Sequence, residues 1–316
     1  MIDVLSLISP EMREALECDN TLGEQIDTSS MDEISAARAV YNGSRRYWNQ
    51  GGPQMAETLD IKVANDQSQV PVRLHIPDSL KHSIKRPVVV FNHGGSWMLG
   101  GLDTHDRAMR ELAERGEFVV AGVDYRLAPE ADFIEMRSDI IAVTQYLQDR
   151  AATLGLDSHR MAMVGDSAGA HLSICVANHE KFRLTLRSLT LIYGAYGLQD
   201  SVSRRLISGE ESGLDENALR SARKRVLGKS LELDSIDFDV LRQDLSGLPP
   251  TLVTSCALDP LKDDSVALTA MLSSAGVRNE YVEVAGVLHG YLHYSRKMQA
   301  SRRLLQLAAD FIRKNF

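Results

Sequence analysis

The residues Gly165-Asp166-Ser167-Ala168-Gly169 form a G-x-S-x-G motif whose central serine is a candidate nucleophile. The apolar run Met161-Ala162-Met163-Val164 predicts a short strand directly before the motif, and Ala170-His171-Leu172-Ser173-Ile174 predicts a helix directly after it. A serine on a tight turn between a strand and a helix exposes its hydroxyl at the end of the strand. This setting favours Ser167 as a nucleophile over a tight turn of small residues without chemistry.

A serine nucleophile needs a base that takes its proton and an acid that orients the base. His289 is the candidate base and Asp259 the candidate acid, because each follows a predicted strand and the two come in the required order after the serine. The rival acids Asp263 and Asp264 fall at the predicted start of the next helix and are expected to cap it. The rival base His293 lies in a helical stretch, so we expect it to be packed or solvated.

The segment His93-Gly94-Gly95-Ser96-Trp97 follows another apolar strand, well before the serine. Attack by a serine creates an oxyanion, which fixed backbone amides stabilise by roughly 3 to 4 kcal/mol per donor. We predict that Gly94, Gly95 and Ala168 supply these amides, although the segment by itself could be a plain glycine turn. His93 is expected to make structural hydrogen bonds, and Ser96 and Asp166 are expected to support the two motifs.

Composition excludes several classes of protein and partner. The 35 basic residues against 43 acidic ones give a formal net charge of −8 over 316 residues, which disfavours a nucleic-acid partner. The apolar runs are strand-sized, so no membrane span is predicted. The first residues lack a basic region followed by an apolar one, so we expect a cytoplasmic protein whose three cysteines are reduced.

The chain lacks the H-E-x-x-H and C-x-x-C patterns of metal sites and the G-x-G-x-x-G pattern of dinucleotide sites. We therefore expect no metal and no cofactor. The partner predicted from the composition and the motifs is a small molecule, and self-association into a homo-oligomer stays open.

The elements that position these residues read as an α/β fold. Fully apolar strands alternate with helical stretches, which predicts a mostly parallel central sheet flanked by helices on both faces. Two earlier segments with a period of two, 59–63 and 70–76, predict an antiparallel pair. The later strands are predicted at 88–91, 118–123, 161–164, 189–193, 252–256 and 281–284.

Two regions outside this alternation read as helical. In residues 1–50, Ser9-Pro10 predicts one helix start and a capping box from Ser30 to Glu33 predicts another. Residues 196–247 contain no convincing strand and carry an apolar helical row that ends at Gly228. We therefore predict a helical insertion between two strands of the sheet.

The motifs together resemble the hormone-sensitive-lipase-like esterases of the α/β-hydrolase fold. The resemblance rests on their order and spacing in the blocks His93-Gly94-Gly95-Ser96-Trp97, Asp124-Tyr125-Arg126-Leu127-Ala128-Pro129-Glu130, Gly165-Asp166-Ser167-Ala168-Gly169, Leu258-Asp259-Pro260-Leu261 and His289-Gly290. A narrower likeness to bacterial acetyl esterases rests on Leu102-Asp103-Thr104-His105-Asp106-Arg107, the block 196–206, Leu292-His293-Tyr294-Ser295-Arg296 and Arg46-Tyr47-Trp48-Asn49.

The resemblance implies a carboxylic ester hydrolase for short acyl chains with a triad of Ser167, Asp259 and His289. It also implies a core of residues 51–195 and 248–316, with a helical cap built from residues 1–50 and 196–247. Trp97 and Tyr196 are candidate walls of the substrate pocket.

Ser96 departs from the resemblance, because the family usually has a third glycine there. This serine could narrow the acyl pocket or donate a hydrogen bond. Two alternatives to an esterase are an arylformamidase-type amidase, which shares the H-G-G-x-W pattern, and a non-enzymatic small-molecule receptor on the same scaffold. The acetyl-esterase blocks count against the amidase, and the presence of all three triad residues counts against the receptor.

Overall fold

Eight strands form one sheet in the computed structural model, which describes residues 2–65, 68–228, 230–232 and 235–316. The order across the sheet is β1-β2-β4-β3-β5-β6-β7-β8. The pairs β1–β2 and β2–β4 are antiparallel, and every other pair in this sheet is parallel. The strands are β1 (Glu57–Asn65), β2 (Ser68–Ile76), β3 (Arg86–Asn92), β4 (Val119–Val123), β5 (Leu156–Asp166), β6 (Leu189–Ile192), β7 (Thr251–Cys256) and β8 (Asn279–Val284). The predicted α/β fold with a mostly parallel sheet is thus confirmed.

The central strands are fully apolar because both faces of the sheet are covered. Side chains alternate between the faces of a strand, so Val88 and Val90 of β3 belong to one hydrophobic layer and Val89 and Phe91 to the other. Parallel strands buried on both faces need such continuous apolar runs. This pattern explains why the strand positions were readable from the sequence.

Helices cover the two faces of the sheet. Met136, Leu172 and Leu268 lie in the layer on one face, and Met109 and Leu305 lie in the layer on the other. The helices are α1 (Val4–Leu7), α2 (Pro10–Glu24), α3 (Glu33–Trp48), α4 (Leu102–Gly116), α5 (Phe133–Asp149), α6 (Ala151–Leu154), α7 (Ala168–Ala177), α8 (Val202–Ile207), α9 (Glu216–Leu227), α10 (Lys262–Ser274) and α11 (Gln299–Asn315).

Of the two helix starts predicted in the N-terminal region, the structure confirms one and contradicts the other. Ser9 caps α2, since its hydroxyl accepts a hydrogen bond from the Met12 amide at 3.2 Å. The capping box predicted from Ser30 is wrong, because α3 begins at Glu33 with Asp32 as its cap. The Asp32 carboxylate accepts hydrogen bonds from the amides of Ile34 and Ser35 at 3.1 and 3.0 Å. Asp32, and not Ser30, therefore satisfies these two amides at the start of the helix.

The segment between β6 and β7 contains α8, α9 and two short 3₁₀ helices, Glu210–Ser212 and Val240–Arg242. No strand occurs among its described residues, although Gly209 and Leu214 form an isolated bridge. The last residue of α9 is Leu227 and Gly228 is its C-cap, in agreement with the prediction that the helical row ends at Gly228. Positions 229, 233 and 234 of the predicted insertion lie outside the described residues.

Within the described part of the chain, no helix has both the length and the apolar character needed to cross a bilayer. The three cysteines are free thiols, with Cys175 and Cys256 buried and Cys18 partly exposed.

Candidate active site

Ser167 occupies the turn between β5 and α7, in a left-handed conformation with φ 53° and ψ −119°. The turn requires its two flanking glycines. A Cβ on Gly165 would lie 2.2 Å from the carbonyl oxygen of Gly169, and a Cβ on Gly169 would lie 2.0 Å from the carbonyl oxygen of Asn92. Any larger side chain would push the turn away from β3, so the G-x-S-x-G pattern follows from packing around a strained serine.

A hydrogen-bond relay joins Ser167 to the two residues predicted downstream of it. Ser167 Oγ lies 2.7 Å from His289 Nε2, and His289 Nδ1 lies 2.7 Å from Asp259 Oδ2. Asp259 is fully buried, and its other oxygen accepts from the Leu261 amide at 2.8 Å. A carboxylate fixed in this way holds the proton of the imidazole on Nδ1, which leaves Nε2 free to accept from the serine hydroxyl.

The segment 93–97 lies beside the serine, but one predicted donor in it is already used. The Gly94 amide donates to Asp166 Oδ1 at 2.8 Å, so the prediction that Gly94 binds an oxyanion is wrong. Gly95 and Ser96 instead line the cavity at Ser167. A Cβ on Gly95 would lie 2.2 Å from the Leu99 carbonyl oxygen, and Ser96 adopts a φ of 53°, so this backbone turns sharply towards the cavity.

Ala168 is the first residue of α7, where the amides of a helix have no partner within the helix. Its position directly after Ser167 suits the donor role predicted for it. The backbone amides of Gly95, Ser96 and Ala168 therefore replace the predicted set as candidate oxyanion donors.

His93 and Asp166 hold the start of the loop that carries Gly95 and Ser96, through contacts with Gly94. His93 Nδ1 lies 2.8 Å from the Gly94 carbonyl oxygen, and its ring stacks on Tyr125 with centroids 4.4 Å apart. Burial, aided by nearby His105, lowers the pKa of His93 to about 3, so this ring is neutral. Burial alone would raise the pKa of Asp166, but His105 and the Gly94 amide outweigh it and lower this pKa.

The two predicted pocket walls lie elsewhere. Trp97 does not line the cavity at Ser167; it faces a separate cavity of about 50 Å³ and donates from Nε1 to His171 Nδ1 at 3.3 Å. Tyr196 is fully buried and lines neither cavity. Both assignments were wrong because a large aromatic beside a motif is as easily a core residue as a pocket residue.

Asp263 and Asp264, the rival candidates for the acid, make hydrogen bonds outside the relay. The prediction that Asp263 and Asp264 cap α10 is wrong, since Leu261 holds the cap position without a side-chain hydrogen bond. Asp263 accepts from the Ser203 amide at 2.8 Å. Asp264 is fully buried and accepts from three consecutive backbone amides, those of 196–198, at 2.7 to 3.2 Å. These carboxylates tie the segment after β6 to the core.

His293 is buried, and its Nε2 lies 3.2 Å from the Tyr41 hydroxyl. Burial, with the nearby charge of Arg45, lowers the pKa of His293 well below its usual value, so the ring is neutral. His293 thus packs in the wall of the cavity, while His289 alone of these two histidines contacts Ser167.

One group of metal-ligand type occurs among the described residues, formed by His105, Asp166 and His293 with ligand atoms within 4.8 Å of one another. Asp166 already accepts from the Gly94 amide, His293 already pairs with Tyr41, and His105 Nδ1 lies 2.9 Å from the Thr104 hydroxyl. The three side chains thus have protein partners of their own, and the relay at Ser167 uses none of them.

A cavity of about 320 Å³ opens onto Ser167 and His289. Its floor belongs to the sheet edge, whereas α2, α3 and the stretch 212–214 close over it. The lining comprises Met12, Leu16, Asp19, Asn20, Tyr41, Arg45, Gly95, Ser96, Leu99, Asp166, Ser167, Ser212, Gly213, Leu214, Leu288, His289, Gly290, His293 and Tyr294. Residues from both ends of the chain and from its middle therefore share one small site.

The sequence analysis missed the polar residues that α2 and α3 contribute, chiefly Asp19, Tyr41 and Arg45. The available signal was the block Arg46-Tyr47-Trp48-Asn49, which begins one residue after Arg45. Helical spacing marks which residues share a face, but it does not show that this face meets a site more than a hundred residues later in the chain.

The sheet order and the serine turn define a protein of the α/β-hydrolase class. A family model described as the alpha/beta hydrolase fold matches residues 89–293. The chain belongs to this family.

Solved structures that resemble the chain are esterases. A hyperthermophilic esterase from the archaeon Pyrobaculum calidifontis is 28% identical, with a TM-score of 0.88 over 98% of both chains. An ester hydrolase from the metagenome of Lake Arreo is 26% identical, with a TM-score of 0.88 over 98% of this chain and 99% of the other. A thermophilic carboxylesterase from a metagenomic library is 29% identical, with a TM-score of 0.85 over 90% of this chain and 98% of the other. The predicted membership of the hormone-sensitive-lipase-like esterases is thereby confirmed.

Proposed function

We propose that this protein is a serine esterase that hydrolyses short-chain, acetyl-like esters through an acyl-serine intermediate. At the level of enzyme class the chain is a carboxylic ester hydrolase, since the family match spans its central fold and the similar solved structures are esterases. The observation that carries the finer proposal is the relay from Ser167 through His289 to Asp259, with both contacts at 2.7 Å.

Each residue of the relay has one task in the proposed reaction. Ser167 Oγ attacks the carbonyl carbon of the ester while His289 Nε2 takes its proton, and the same nitrogen then protonates the departing alcohol. Asp259 keeps the other imidazole nitrogen protonated and stabilises the imidazolium. A water molecule, activated by His289, attacks the acyl-serine and releases the acid.

The amides of Gly95, Ser96 and Ala168 would bind the oxyanion formed in both steps. These donors need no side chain, so Ser96 in place of a third glycine keeps the backbone N–H. Removal of one such donor typically lowers kcat by about 10²-fold to 10³-fold. The contact between Gly94 and Asp166 supports this role, because it fixes the start of the loop that carries two of the donors.

The size and cover of the cavity support a short acyl chain. Its volume of about 320 Å³ is at the small end of the range for ligand sites, and Leu99, Leu214 and Leu288 narrow it. We also propose that residues 1–50 and 196–247 form a cap on the core of 51–195 and 248–316. The helices α2 and α3 and the stretch 212–214 support this division, since they close over the serine.

The experiment that tests the proposal is hydrolysis of p-nitrophenyl esters from acetate to palmitate by the purified protein and by Ser167→Ala. We expect serine-dependent turnover that is fastest on acetate and falls as the acyl chain lengthens. N-formylkynurenine, supplied as a formamide substrate, tests the amidase alternative. Turnover of the formamide without turnover of any ester would reject the esterase proposal, and turnover of neither would favour a receptor.

A further inference from the structure

Tyr193 follows β6 directly and has a backbone conformation that tyrosine rarely adopts. Its φ is 39°, in the left-handed region where glycine carries no strain and a bulky residue does. Ser167 and Ser96, at the proposed nucleophile and in the proposed oxyanion loop, are also non-glycine residues with positive φ. Strain of this kind persists only where the surrounding structure holds it, and it concentrates at functional sites. A tyrosine at a position that glycine would fill without strain indicates that the side chain has a task.

The backbone at the end of β6 is joined to the nucleophile. The carbonyl oxygen of Ile192 accepts from the Ser167 amide at 2.8 Å, and the Tyr193 amide donates to the Thr254 carbonyl oxygen of β7, also at 2.8 Å. These two hydrogen bonds fix the end of β6 between the serine turn and β7. The Tyr193 side chain therefore starts from a fixed place relative to Ser167.

The Tyr193 ring packs against the imidazole of His289. The two ring centroids lie 4.8 Å apart and the planes are tilted by 60°, which is a favourable geometry for an aromatic pair. Tyr193 is only 1% exposed and does not line the cavity at Ser167, whereas the His289 side chain is 12% exposed and lines it. Tyr193 thus supports the imidazole from the protein side and is not placed to touch a substrate in this cavity.

The hydrogen bond between His289 and Asp259 leaves one motion of the imidazole open. It holds Nδ1 at 2.7 Å from Asp259 Oδ2, but the ring can still tilt about that contact, since the terminal torsion of a histidine has broad minima. A tilt moves Nε2, which must stay within hydrogen-bond reach of Ser167 Oγ, 2.7 Å away. A rigid neighbour packed on the imidazole restricts the tilt, and Tyr193 is such a neighbour.

The hydroxyl of Tyr193 lies near Asp166. Its distance to Asp166 Oδ2 is 3.4 Å, which is long for a hydrogen bond between two oxygens. Burial, aided by the charge of Asp166, raises the pKa of Tyr193 well above its usual value, so the hydroxyl keeps its proton. The weak contact of the hydroxyl is therefore secondary to the contact between the two rings.

We infer that Tyr193 is a positioning residue, whose ring holds the His289 imidazole at the angle from which Nε2 takes the proton of Ser167 and passes it to the departing alcohol. The inference rests on the proposed function and adds to it a residue outside the relay. A displaced imidazole transfers protons more slowly, and a misplacement of about 1 Å can lower a rate by about 10²-fold.

The test uses two acetate esters whose leaving groups differ in their need for a proton. Ethoxide needs the proton of His289 to leave, whereas p-nitrophenolate is stable enough to leave without it. We expect Tyr193→Leu to lower kcat/KM for ethyl acetate by about 10-fold to 100-fold, and to raise the ratio of p-nitrophenyl acetate to ethyl acetate by about fivefold or more. This ratio does not depend on the concentration of folded enzyme, so a loss of stability alone leaves it unchanged.

Three further variants complete the experiment in the full-length protein. Tyr193→Phe keeps the ring and should keep nearly the wild-type ratio. Phe182→Leu is the matched control and should keep the ratio as well, because Phe182 is fully buried and its ring contacts His179 instead of His289. Tyr193→Met, with a flexible side chain, should behave as Tyr193→Leu does and replaces it if the leucine variant fails to fold.

An unchanged ratio in Tyr193→Leu or Tyr193→Met would overturn the inference. A ratio in Tyr193→Phe that changes as much as in Tyr193→Leu would overturn it too, since the hydroxyl and not the ring would then be responsible. Failure of the proposed function shows separately and before any Tyr193 variant is made: the wild type would hydrolyse neither ester, or Ser167→Ala would retain its activity.

Discussion

The relay at the sheet edge and the cover above it, formed by residues 1–50 and 196–247, are held together in different ways. Asp259 is fully buried, and each of its oxygens has a fixed donor, from His289 and from the Leu261 amide. The cover relies more on exposed ion pairs, such as Arg225 with Glu33, whose side chains are 32% and 84% exposed. Exposed pairs contribute little stability, whereas buried hydrogen-bonded groups resist displacement.

This difference separates the groups proposed to react from the helices that line the rest of the cavity. The groups proposed to react stand on strand ends and on a strained turn, where a small displacement would break their geometry. The helices α2 and α3, by contrast, supply side chains to the wall of the cavity. Changes at the strand ends and the serine turn are therefore expected to disturb the reaction more than changes in the exposed ion pairs of the cover.

The largest expected effect comes from removal of the nucleophile. Ser167→Ala should lower kcat for p-nitrophenyl acetate by about 10⁴-fold or more, since an alanine offers no hydroxyl to His289. Steady-state kinetics measures the loss, and a thermal melt shows that the fold is kept. Ser246→Ala, at an exposed loop position, is the control. Near-normal turnover by Ser167→Ala would reject Ser167 as the nucleophile.

The acid of the relay should come next. Asp259→Asn should lower kcat by about 10³-fold to 10⁴-fold, because a neutral amide does not stabilise the imidazolium as a carboxylate does, and its NH₂ group can donate to Nδ1 and hold the imidazole in the wrong tautomer. Asp263→Asn, four residues later, should change kcat by less than about threefold, because Asp263 accepts from the Ser203 amide and takes no part in the relay. Kinetics on one ester compares the two variants, and the reverse ranking would assign the role to Asp263.

The contacts of Asp264 with the segment after β6 should contribute several kcal/mol to the free energy of unfolding. Asp264→Ala should lower the free energy of unfolding by about 3 to 5 kcal/mol, since it leaves three backbone amides without their acceptor and removes one of the two carboxylates that pair with the buried Arg204. Chemical denaturation measures this loss. A loss below about 1 kcal/mol would show that the loop after β6 is held by other contacts.

Stability should also depend on pH through a buried histidine of the core. His171 accepts from Trp97 Nε1, and its other nitrogen lies 2.8 Å from the Phe238 carbonyl oxygen. Burial lowers the pKa of His171 to about 4, whereas an unfolded chain has a value of about 6.5. The unfolded state therefore binds the proton first, and the stability that neutral His171 supports is complete above pH ~6.5 and falls towards pH ~4.

The measurement is the free energy of unfolding of the wild type and of His171→Asn between pH 8 and pH 4.5. The stability difference between the two proteins should shrink as the pH falls, because only the wild type loses this contribution. His159→Asn, at an exposed position, serves as the control for loss of a histidine. A difference that stays constant over this range would contradict a neutral, buried His171.

The smallest effect is expected in the cover itself. Glu33→Gln should change the free energy of unfolding by less than about 1 kcal/mol, since its ion pair with Arg225 is largely exposed. Denaturation at low and high salt measures the change. A loss as large as that of Asp264→Ala would show that the cover is held as firmly as the core.

Predictions from the sequence were most successful where neighbours along the chain determine the structure. The apolar strand, the glycines and the helix around Ser167 lie within about a dozen residues, and each is needed to build one turn. The order of Asp259 and His289 after the serine was also readable, because parallel strands end at one edge of the sheet. The structure brings these three residues together as expected.

Predictions failed where a distant partner takes a group that local patterns leave free. Gly94 looks like a free amide in a glycine turn, but Asp166, 72 positions later, accepts its hydrogen bond. Asp264 looks like a helix cap, but the loop after β6 supplies three amides to its carboxylate. For Trp97 and Tyr196, nothing in the neighbouring sequence distinguishes a residue of the pocket wall from a residue of the core.

The sequence by itself determined the sheet, the serine turn and the residues of the relay, because strand periodicity and turn sterics act over a few neighbouring positions. Only the tertiary structure decided which amides face the cavity and that Arg45 of α3 stands in its wall. Those outcomes depend on how helices from the two ends of the chain pack over one sheet edge. No pattern within a single segment encodes that packing.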